Sequence, residues 1–300
     1  MPAHLTCQIP LPPGFRPGDT LAFHRRDTQE IAERAHGASL QKGLLWQGAP
    51  ACLSLRLEPG QVLAELALDG TASGDSQAQL DSMLRRMLGL SQDVDAFEQA
   101  YRGHPLIGPL VSRQAGLRVP LAATPFEALS WAIIGQQISV SAAVSIRRKL
   151  IQAANVNHSD GLLCHPGPEQ VAALGAEGLR QAGFSASKSQ TLLHIADLVA
   201  SGQLPFDRWQ QAPPIDEIRD RLLALRGIGP WTVSYTLLRG FGWLDGSLHG
   251  DVAVRRGIET LLETPEKLSE KQAKAWLEAF SPWRALLAAH LWASRSSTAY

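Results

Sequence analysis

The segment from Leu222 to Asp251 constrains the fold of this chain more than any other stretch. An apolar helical pattern runs into the turn Gly227-Ile228-Gly229-Pro230, and a second apolar helix begins near Trp231. Two glycines around one apolar residue permit a tight turn with positive φ, and proline is favoured in the first turn of a helix. The segment therefore predicts two helices over about 218–240, joined by a tight turn, with Ile228 filling the space between them.

The turn between these helices would expose the backbone N–H groups of Gly227 and Gly229 at a helix N-terminus. Phosphate groups bind at such positions without any contribution from lysine. A plain corner between two helices would show the same glycine pattern. The turn alone therefore leaves both a structural and a phosphate-binding interpretation open.

The charge of the chain gives no support to a broad nucleic-acid-binding surface. Its 300 residues include 28 Lys and Arg and 28 Asp and Glu, so the formal net charge is zero. A balance of this kind does not indicate a protein that coats nucleic acid or adheres to a membrane surface. Any contact with a polyanion must then be local, and we expect such a contact to depend only weakly on salt.

Strand signals are confined to about the first 90 residues. Two apolar-rich runs, Ala51–Leu57 and Val62–Leu68, are separated by Glu58-Pro59-Gly60-Gln61, which predicts a β-hairpin. The segments Asp19–Arg34 and Ser76–Leu88 favour helices. We therefore expect a small α+β domain over residues 1–92.

From residue 93 onward, helix start signals recur and strand signals fade. The segment Thr124-Pro125-Phe126-Glu127 is a capping-box pattern with proline at the first helical position, and Thr264-Pro265-Glu266 repeats the same chemistry. These patterns predict a mostly α-helical fold class, with a helical domain over residues 93–300. They also leave one long loop, over His158–Pro168.

The cysteine and hydropathy patterns indicate the compartment. Three scattered cysteines, Cys7, Cys52 and Cys164, exclude a disulfide scaffold and a four-cysteine metal cluster. This usage suits a reducing compartment, and no apolar run approaches the roughly 18 residues of a membrane span. We expect a cytoplasmic monomer that makes no contact with a membrane.

The residues after the hairpin complete a pattern that resembles a known superfamily. His249-Gly250-Asp251-Val252 follows the hairpin glycines by about twenty residues. Together these segments resemble the helix-hairpin-helix DNA glycosylase superfamily and, within it, the DNA-3-methyladenine glycosylase II type. Further matching stretches are Trp131–Ser139, Gly183–Gly202 and Pro282–Trp292, so the resemblance covers roughly 120–295.

The resemblance implies a helix-hairpin-helix DNA glycosylase fold and an enzyme of base excision repair. Such an enzyme flips an alkylated purine, of the 3-methyladenine or 7-methylguanine type, out of double-stranded DNA. It then hydrolyses the N-glycosidic bond and leaves an abasic site, and no cofactor is required. Two alternatives stay open: a non-catalytic helix-hairpin-helix DNA-binding protein, and a glycosylase that acts on other purine lesions.

The same resemblance implies the catalytic residue. In superfamily members with an additional lyase activity, a lysine stands two positions after the last hairpin glycine, where this chain has Trp231. A monofunctional hydrolase with water as the nucleophile is therefore implied. Asp251 would stabilise an oxocarbenium-like sugar and orient or deprotonate the water. Locally, Asp251 also fits the N-cap of the next helix, and the two roles are compatible.

The base pocket that the resemblance implies is aromatic. Stacking between aromatic faces suits a flipped base, and a cationic alkylpurine is further attracted by cation–π interaction. Each of these rings would equally suit packing between helices. The pocket candidates are Trp231, Tyr235, Trp292 and, from the N-terminal domain, Phe23.

The candidates for DNA contact lie on the hairpin and on neighbouring segments. Gln137 matches the residue that fills the gap left by the flipped base, although an apolar residue is known at that position. The cations Arg147, Arg148 and Lys149 would equally suit a solvated helix face. The remaining DNA-binding candidates are Gly227, Gly229, Thr232 and Lys188.

The resemblance also implies one ion at the hairpin. A monovalent cation would bind backbone carbonyls and bridge them to a DNA phosphate. The carbonyls that match this site are those of Leu223, Leu225 and Ile228.

Overall fold

The N-terminal part of the chain forms a five-stranded antiparallel sheet in the computed structural model, which describes residues 3–295. Its elements are β1 Ala3–Pro10, α1 Pro17–His24, β2 Glu33–His36, β3 Ser39–Trp46, β4 Ala49–Glu58, β5 Gln61–Leu68 and α2 Ser76–Met87. The strand order is β1-β5-β4-β3-β2. Strands β2 to β5 therefore form a meander, and β1 joins it as an edge strand by pairing with β5.

The predicted β-hairpin and the predicted helix after it are confirmed. β4 and β5 pair with Leu57 opposite Val62, and Gly60 occupies the turn with a φ of +75°. Leu66 of β5 and Leu80 of α2 belong to the same buried apolar cluster. The alternation of apolar residues along the strand thus places one face of the sheet against α2.

The predicted helix over Asp19–Arg34 is wrong in its second half. α1 ends at His24, and β2 begins within the predicted range. The Asp27 carboxylate accepts a hydrogen bond from the Gln29 N–H at 3.0 Å, and Glu30 has a φ of +53°. A side chain that bonds the backbone two residues further on favours a turn over a helix, so the helical run ends early.

Residues 94–295 form helices joined by loops, as the mostly α-helical fold class predicts. α11 contributes Tyr235 to one buried apolar cluster and Leu237 to another, so it lies between the two cores of this part. No helix among the described residues has the length and apolar character needed to cross a membrane. The helices are α3 Val94–Tyr101, α4 Gly108–Arg113, α5 Pro125–Gly135, α6 Val140–Ala154, α7 Pro168–Gln181, α8 Ala186–Ala200, α9 Phe206–Gln211, α10 Ile215–Leu223, α11 Pro230–Phe241, α12 Val252–Leu261, α13 Glu270–Glu278 and α14 Arg284–Arg295.

The helix start signals are only partly confirmed. The Thr124 hydroxyl accepts the Glu127 N–H at 3.1 Å and caps α5. The Glu127 carboxylate, however, accepts the Ala123 N–H at 3.2 Å instead of returning to the cap residue. The helix predicted at Thr264-Pro265-Glu266 is wrong, because α13 begins only after Ser269, which forms a complete capping box.

A buried ion-pair network joins the sheet to the helices. Lys42 Nζ lies 2.6 Å from Glu33 Oε1 and 2.7 Å from Glu127 Oε1, and Arg147 pairs with both carboxylates at 3.0 Å. Burial alone would raise the pKa of Glu127, but Lys42, His165 and Arg147 outweigh it and hold that pKa well below its usual range. The network therefore ties β2 and β3 to α5 and α6 through charges that stay ionised.

This network and one neighbouring pair correct two of the basic candidates for DNA contact. Arg147 is buried within the network, and Arg148 pairs with Asp27 at 2.7 Å. Both guanidinium groups are thus used inside the protein. Lys149 is exposed, as expected for a solvated helix face.

The long loop predicted over His158–Pro168 is confirmed, and it packs on the sheet. The Leu163 N–H donates to the Ile31 carbonyl at 3.0 Å, and the His165 N–H donates to the Gly43 carbonyl at 3.2 Å. A Cβ on Gly43 would lie 2.1 Å from the Leu163 carbonyl oxygen, so only glycine permits this approach. The loop therefore adds a second junction between the sheet and the helical part.

The domain boundary predicted between residues 92 and 93 stays a prediction. Leu90 packs against the cluster of the sheet, whereas Val94 belongs to a cluster of the helical part. The apolar contacts thus change close to the predicted boundary.

Candidate active site and DNA-binding hairpin

The predicted helical hairpin is present between α10 and α11. Ile228 lies in its turn and is only 7% exposed. Gly227 has a φ of +89°, and a Cβ there would lie 2.3 Å from Thr191 Oγ1. Gly229 has an ordinary φ of −108°, and a Cβ there would meet no atom of the described residues within 4 Å. Of the two glycines, only Gly227 therefore has the positive φ that the sequence predicts.

Two backbone N–H groups of the turn are available to an outside ligand. Those of Gly227 and Gly229 donate to no other described residue, and Gly227 is exposed. α11 starts directly after them, so the positive end of its dipole lies at the same place. This geometry suits phosphate binding by backbone amides, and the role stays a prediction.

Thr232 supports the hairpin from inside. It is 2% exposed, and its Oγ1 accepts a hydrogen bond from Gln136 Nε2 at 2.9 Å. The same amide nitrogen donates to the Gly227 carbonyl at 3.0 Å. The Thr232 hydroxyl thus takes part in a bridge between α11 and the end of α5, and its expected contact with DNA stays a prediction.

Gln137 stands at the tip of the turn between α5 and α6. It is exposed and has a φ of +57°. Lys188 Nζ donates to the Ile134 carbonyl at 2.9 Å and to the Gln136 carbonyl at 2.8 Å, and burial lowers its pKa. Lys188 thus supports this turn, and its expected contact with DNA stays a prediction. The exposed, braced position of Gln137 suits the expected role of gap-filling residue, which stays a prediction.

The carbonyls expected to hold a monovalent cation lie along the hairpin turn. The Leu225 carbonyl accepts the Ile228 N–H at 3.1 Å and keeps one lone pair for another partner. Leu223 is the last residue of α10, where helix carbonyls lose their intrahelical donors. Neutral oxygen donors of this kind suit a hard alkali cation. The residues fit such an ion, and the site stays a prediction.

Asp251 is the N-cap of α12 and also faces two indoles. Its Oδ1 accepts the N–H groups of Ala253 at 2.8 Å and Val254 at 3.0 Å. Trp292 Nε1 donates to the same oxygen at 3.3 Å, whereas Trp231 Nε1 donates to Oδ2 at 3.1 Å. A carboxylate oxygen offers about two lone pairs. Oδ2 accepts only one hydrogen bond from the described residues, so it retains one lone pair for a water molecule or a sugar.

A cavity of about 170 Å³ opens over Asp251. Trp231, Tyr235 and Trp292 all line it, as expected. The ring centroids of Trp231 and Tyr235 are 5.3 Å apart, and those of Tyr235 and Trp292 are 6.4 Å apart. A small aromatic cavity with one carboxylate suits a single flat heterocyclic base.

A larger open groove, of about 610 Å³, lies on the sheet. Its described lining residues include Arg34, His36, Arg56 and Glu65, but no aromatic cluster over a carboxylate. The smaller cavity is therefore the candidate active site.

Phe23 lies behind the wall of this cavity. Arg26 separates it from the open space, with Cζ 4.1 Å from the Phe23 ring centroid and 4.4 Å from the Trp131 centroid. Arg26 and Trp131 line the cavity, and Phe23 does not. Phe23 thus supports Arg26 and lines only the small void behind the wall, and its expected role as a pocket residue stays a prediction.

Sequence reasoning missed two wall residues. Trp131 is the first residue of the stretch Trp131–Ser139, which resembles the superfamily, and that resemblance could have identified it as a site residue. Arg26 gave no signal, because it reaches the cavity only through the docking of the N-terminal part on α5. These two residues complete a wall that joins both parts of the chain.

Comparisons with known proteins bear on both parts of the chain. The family model for the HhH-GPD superfamily base excision DNA repair protein matches residues 130–282, and the model for the AlkA N-terminal domain matches residues 6–124. DNA-3-methyladenine glycosylase 2 of Escherichia coli is 28% identical over 188 residues, which is 62% of this chain and 63% of that protein. DNA-3-methyladenine glycosylase of Bacillus subtilis is 26% identical over 206 residues, 68% of each chain. The match thus spans just under two thirds of the Escherichia coli protein.

Solved structures share the fold. A 3-methyladenine DNA glycosylase from Archaeoglobus fulgidus superposes with a TM-score of 0.80 at 20% identity, over 95% of this chain and 97% of that chain. The Schizosaccharomyces pombe 3-methyladenine DNA glycosylase, in complex with abasic DNA, gives a TM-score of 0.58 at 26% identity, over 68% of this chain and 98% of that chain. Because the superfamily model covers more than half of the chain, including the hairpin and Asp251, this chain belongs to the HhH-GPD superfamily of base excision DNA repair proteins.

Proposed function

We propose that this protein is a monofunctional DNA glycosylase that excises alkylated purines, such as 3-methyladenine and 7-methylguanine, from double-stranded DNA. The observation that carries the proposal is Asp251, which receives hydrogen bonds from two indoles in the wall of an aromatic cavity. The names of the Escherichia coli and Bacillus subtilis relatives support the same substrate class. The product would be a free base and an abasic site.

The mechanism follows from the two oxygens of Asp251. Cleavage of the bond between C1′ and the base nitrogen leaves the bonding electron pair on the base and positive charge on the sugar. The carboxylate stabilises that charge, and Oδ2 accepts a hydrogen bond from the attacking water with its remaining lone pair. The water oxygen then bonds to C1′ and gives up its proton to the carboxylate.

The aromatic wall provides affinity for the flipped base. Trp231 and Trp292 are each held by their N–H groups on Asp251, so the orientations of their rings are fixed before a base arrives. A cationic alkylpurine gains roughly 0.5–2 kcal/mol from a ring face in addition to stacking. Its glycosidic bond is already weakened by the charge, so the site requires no strong general acid.

DNA would be held chiefly at the hairpin. The N–H groups of Gly227 and Gly229 would bind a backbone phosphate. The carbonyls of Leu223, Leu225 and Ile228 would hold a monovalent cation, which would supply positive charge near that phosphate. Gln137 would enter the space that the flipped base leaves. We further propose that the protein acts as a cytoplasmic monomer and requires no cofactor for the reaction.

The direct test is mass spectrometry of the bases released from methylated duplex DNA. The wild-type protein is expected to release methylpurines, and Asp251→Asn to release none. Asparagine caps helices about as well as aspartate, so this variant should fold. Asp93→Asn is the matched control, because Asp93 caps α3 through the Ala96 N–H and does not line the cavity. Release of methylpurine by Asp251→Asn would overturn the assignment.

Base release, duplex binding and borohydride trapping together separate the alternatives. A non-catalytic DNA-binding protein would bind the duplex and release no base. A glycosylase with lyase activity would form a covalent complex that borohydride traps. Position 231 holds tryptophan, and no lysine is among the described lining residues of the cavity, so we expect no trapped complex.

A further inference from the structure

Arg26 places a second charge in the wall of the candidate active site. It follows α1 in the N-terminal part of the chain, yet it lines the cavity together with Asp251 and Trp131. Its Nε donates to the Phe23 carbonyl at 2.8 Å, and its Cζ lies 4.1 Å and 4.4 Å from the ring centroids of Phe23 and Trp131. One backbone contact and two rings therefore hold the guanidinium in place.

The two terminal nitrogens of Arg26 are free to bind a ligand. Neither makes a hydrogen bond or ion pair with another described residue. Glu127 is the carboxylate in the small void of about 10 Å³ beside Arg26, and it is already paired with Lys42 and Arg147. The charge of Arg26 is therefore not neutralised by that neighbour. Its four terminal N–H donors have no acceptor among the described residues.

A positive group with unused donors acts on bases in two opposite ways. It repels a base that is itself a cation, which reduces the cation–π advantage of the ring wall. It also donates to acceptor atoms at the edge of a neutral base. The two acceptors O6 and N7 of a purine match the spacing of a guanidinium, which binds them as a bidentate pair.

Building on the proposed glycosylase function, we infer that Arg26 is a specificity-determining residue of this site. It shifts the preference of the cavity toward neutral purine lesions that present O6 and N7 together, and away from cationic N7-alkylated purines. Hypoxanthine is a base of the first kind. 7-Methylguanine is of the second kind, because methylation adds a positive charge and removes the N7 acceptor.

The test measures single-turnover excision of each base from otherwise identical duplexes. Arg26→Met keeps the length of the side chain and removes its charge and donors. The ratio of the hypoxanthine rate to the 7-methylguanine rate should fall on the order of tenfold, the value of one charge-assisted hydrogen bond. Arg25→Met is the matched control, since Arg25 is exposed, donates to the Ala35 carbonyl and does not line the cavity. It should leave the ratio unchanged.

Arg26→Lys separates charge from donor geometry and guards against misfolding of Arg26→Met. Lysine keeps the charge but lacks the planar fork. We expect this variant to lower the hypoxanthine rate more than the 7-methylguanine rate. Thermal unfolding of each variant reports its folding.

Two outcomes would overturn the inference, and they differ from each other. If the wild-type protein releases neither base, the proposed glycosylase function itself is wrong. If it releases both, and the folded Arg26 variants show the wild-type ratio, only the role of Arg26 is wrong.

Discussion

Replacement of Gly227 by alanine should destabilise the protein much more than the same change at Gly229. At Gly227 the new Cβ meets a φ of +89° and lies 2.3 Å from Thr191 Oγ1. The left-handed conformation costs an L-residue roughly 1–2 kcal/mol. The collision also displaces the hydroxyl that donates to the Arg226 carbonyl at 3.1 Å, for roughly 1–2 kcal/mol more. Gly227→Ala should therefore lose about 3 kcal/mol of unfolding free energy.

Gly229→Ala is the matched control for that change. Its φ is ordinary, and no atom in the described part of the chain lies within 4 Å of the added methyl group. Alanine is a poorer N-cap than glycine, so we expect a loss of no more than about 1 kcal/mol. Both variants are compared with the wild-type protein by urea unfolding and by DNA binding. Only Gly227→Ala should also weaken DNA binding strongly, because it moves an amide that we propose binds a DNA phosphate.

A double-mutant cycle separates strain from collision at Gly227. In a Thr191→Ala background the nearest remaining atom, Cβ, lies 3.4 Å from the added methyl group, an ordinary contact. Gly227→Ala should then cost only the roughly 1–2 kcal/mol of the left-handed conformation. Equal losses for Gly227→Ala and Gly229→Ala, or an unchanged loss in the Thr191→Ala background, would refute the reasoning.

Three further predictions concern the ion-pair network and the weak charge of the chain. Lys42→Met removes a positive charge that balances the buried carboxylates of Glu33 and Glu127, so the free energy of unfolding measured in urea should fall by about 3–5 kcal/mol. Arg56→Met breaks an exposed ion pair with Glu58, and its free energy of unfolding should fall by less than about 1 kcal/mol. Burial lowers the pKa of His165 to about 4 from 6.5, so the unfolded chain binds more protons and stability falls as pH falls from 6.5 toward 4. The unfolding free energy should drop by roughly 2–3 kcal/mol more in the wild-type protein than in His165→Gln between pH 7 and 4.5. A plot of log affinity for duplex DNA against log salt should have a slope shallower than about −4, and a steeper slope would show many phosphate ion pairs.

Elements with local signals could be predicted from the sequence. The β4–β5 hairpin has a Pro-Gly turn between two alternating apolar runs, and α2 has its own periodicity. The turn around Ile228 is also specified locally, by glycine, one apolar plug and proline. In such segments the residues that decide the conformation are neighbours in sequence, so no knowledge of the tertiary fold is needed.

The partners of single polar side chains could not be predicted in this way. Thr232 and Lys188 have the chemistry of phosphate contacts, but they bond to Gln136 of a different segment. Phe23 and Arg26 are three positions apart, and only the docking of the two parts decides which one reaches the cavity. Those outcomes depend on contacts between residues that are far apart in sequence.

The catalytic role of Asp251 is tested most directly by one rate constant. A duplex with a single 7-methylguanine is incubated with excess protein, and the single-turnover rate of base release is measured for the wild-type, Asp251→Asn and Asp93→Asn proteins. Fluorescence anisotropy with the same duplex reports binding. We expect Asp251→Asn to bind like the wild-type protein and to lose at least about 100-fold in rate, the usual contribution of a group that stabilises developing charge, while Asp93→Asn keeps the wild-type rate. A wild-type rate for the bound Asp251→Asn protein would contradict the account.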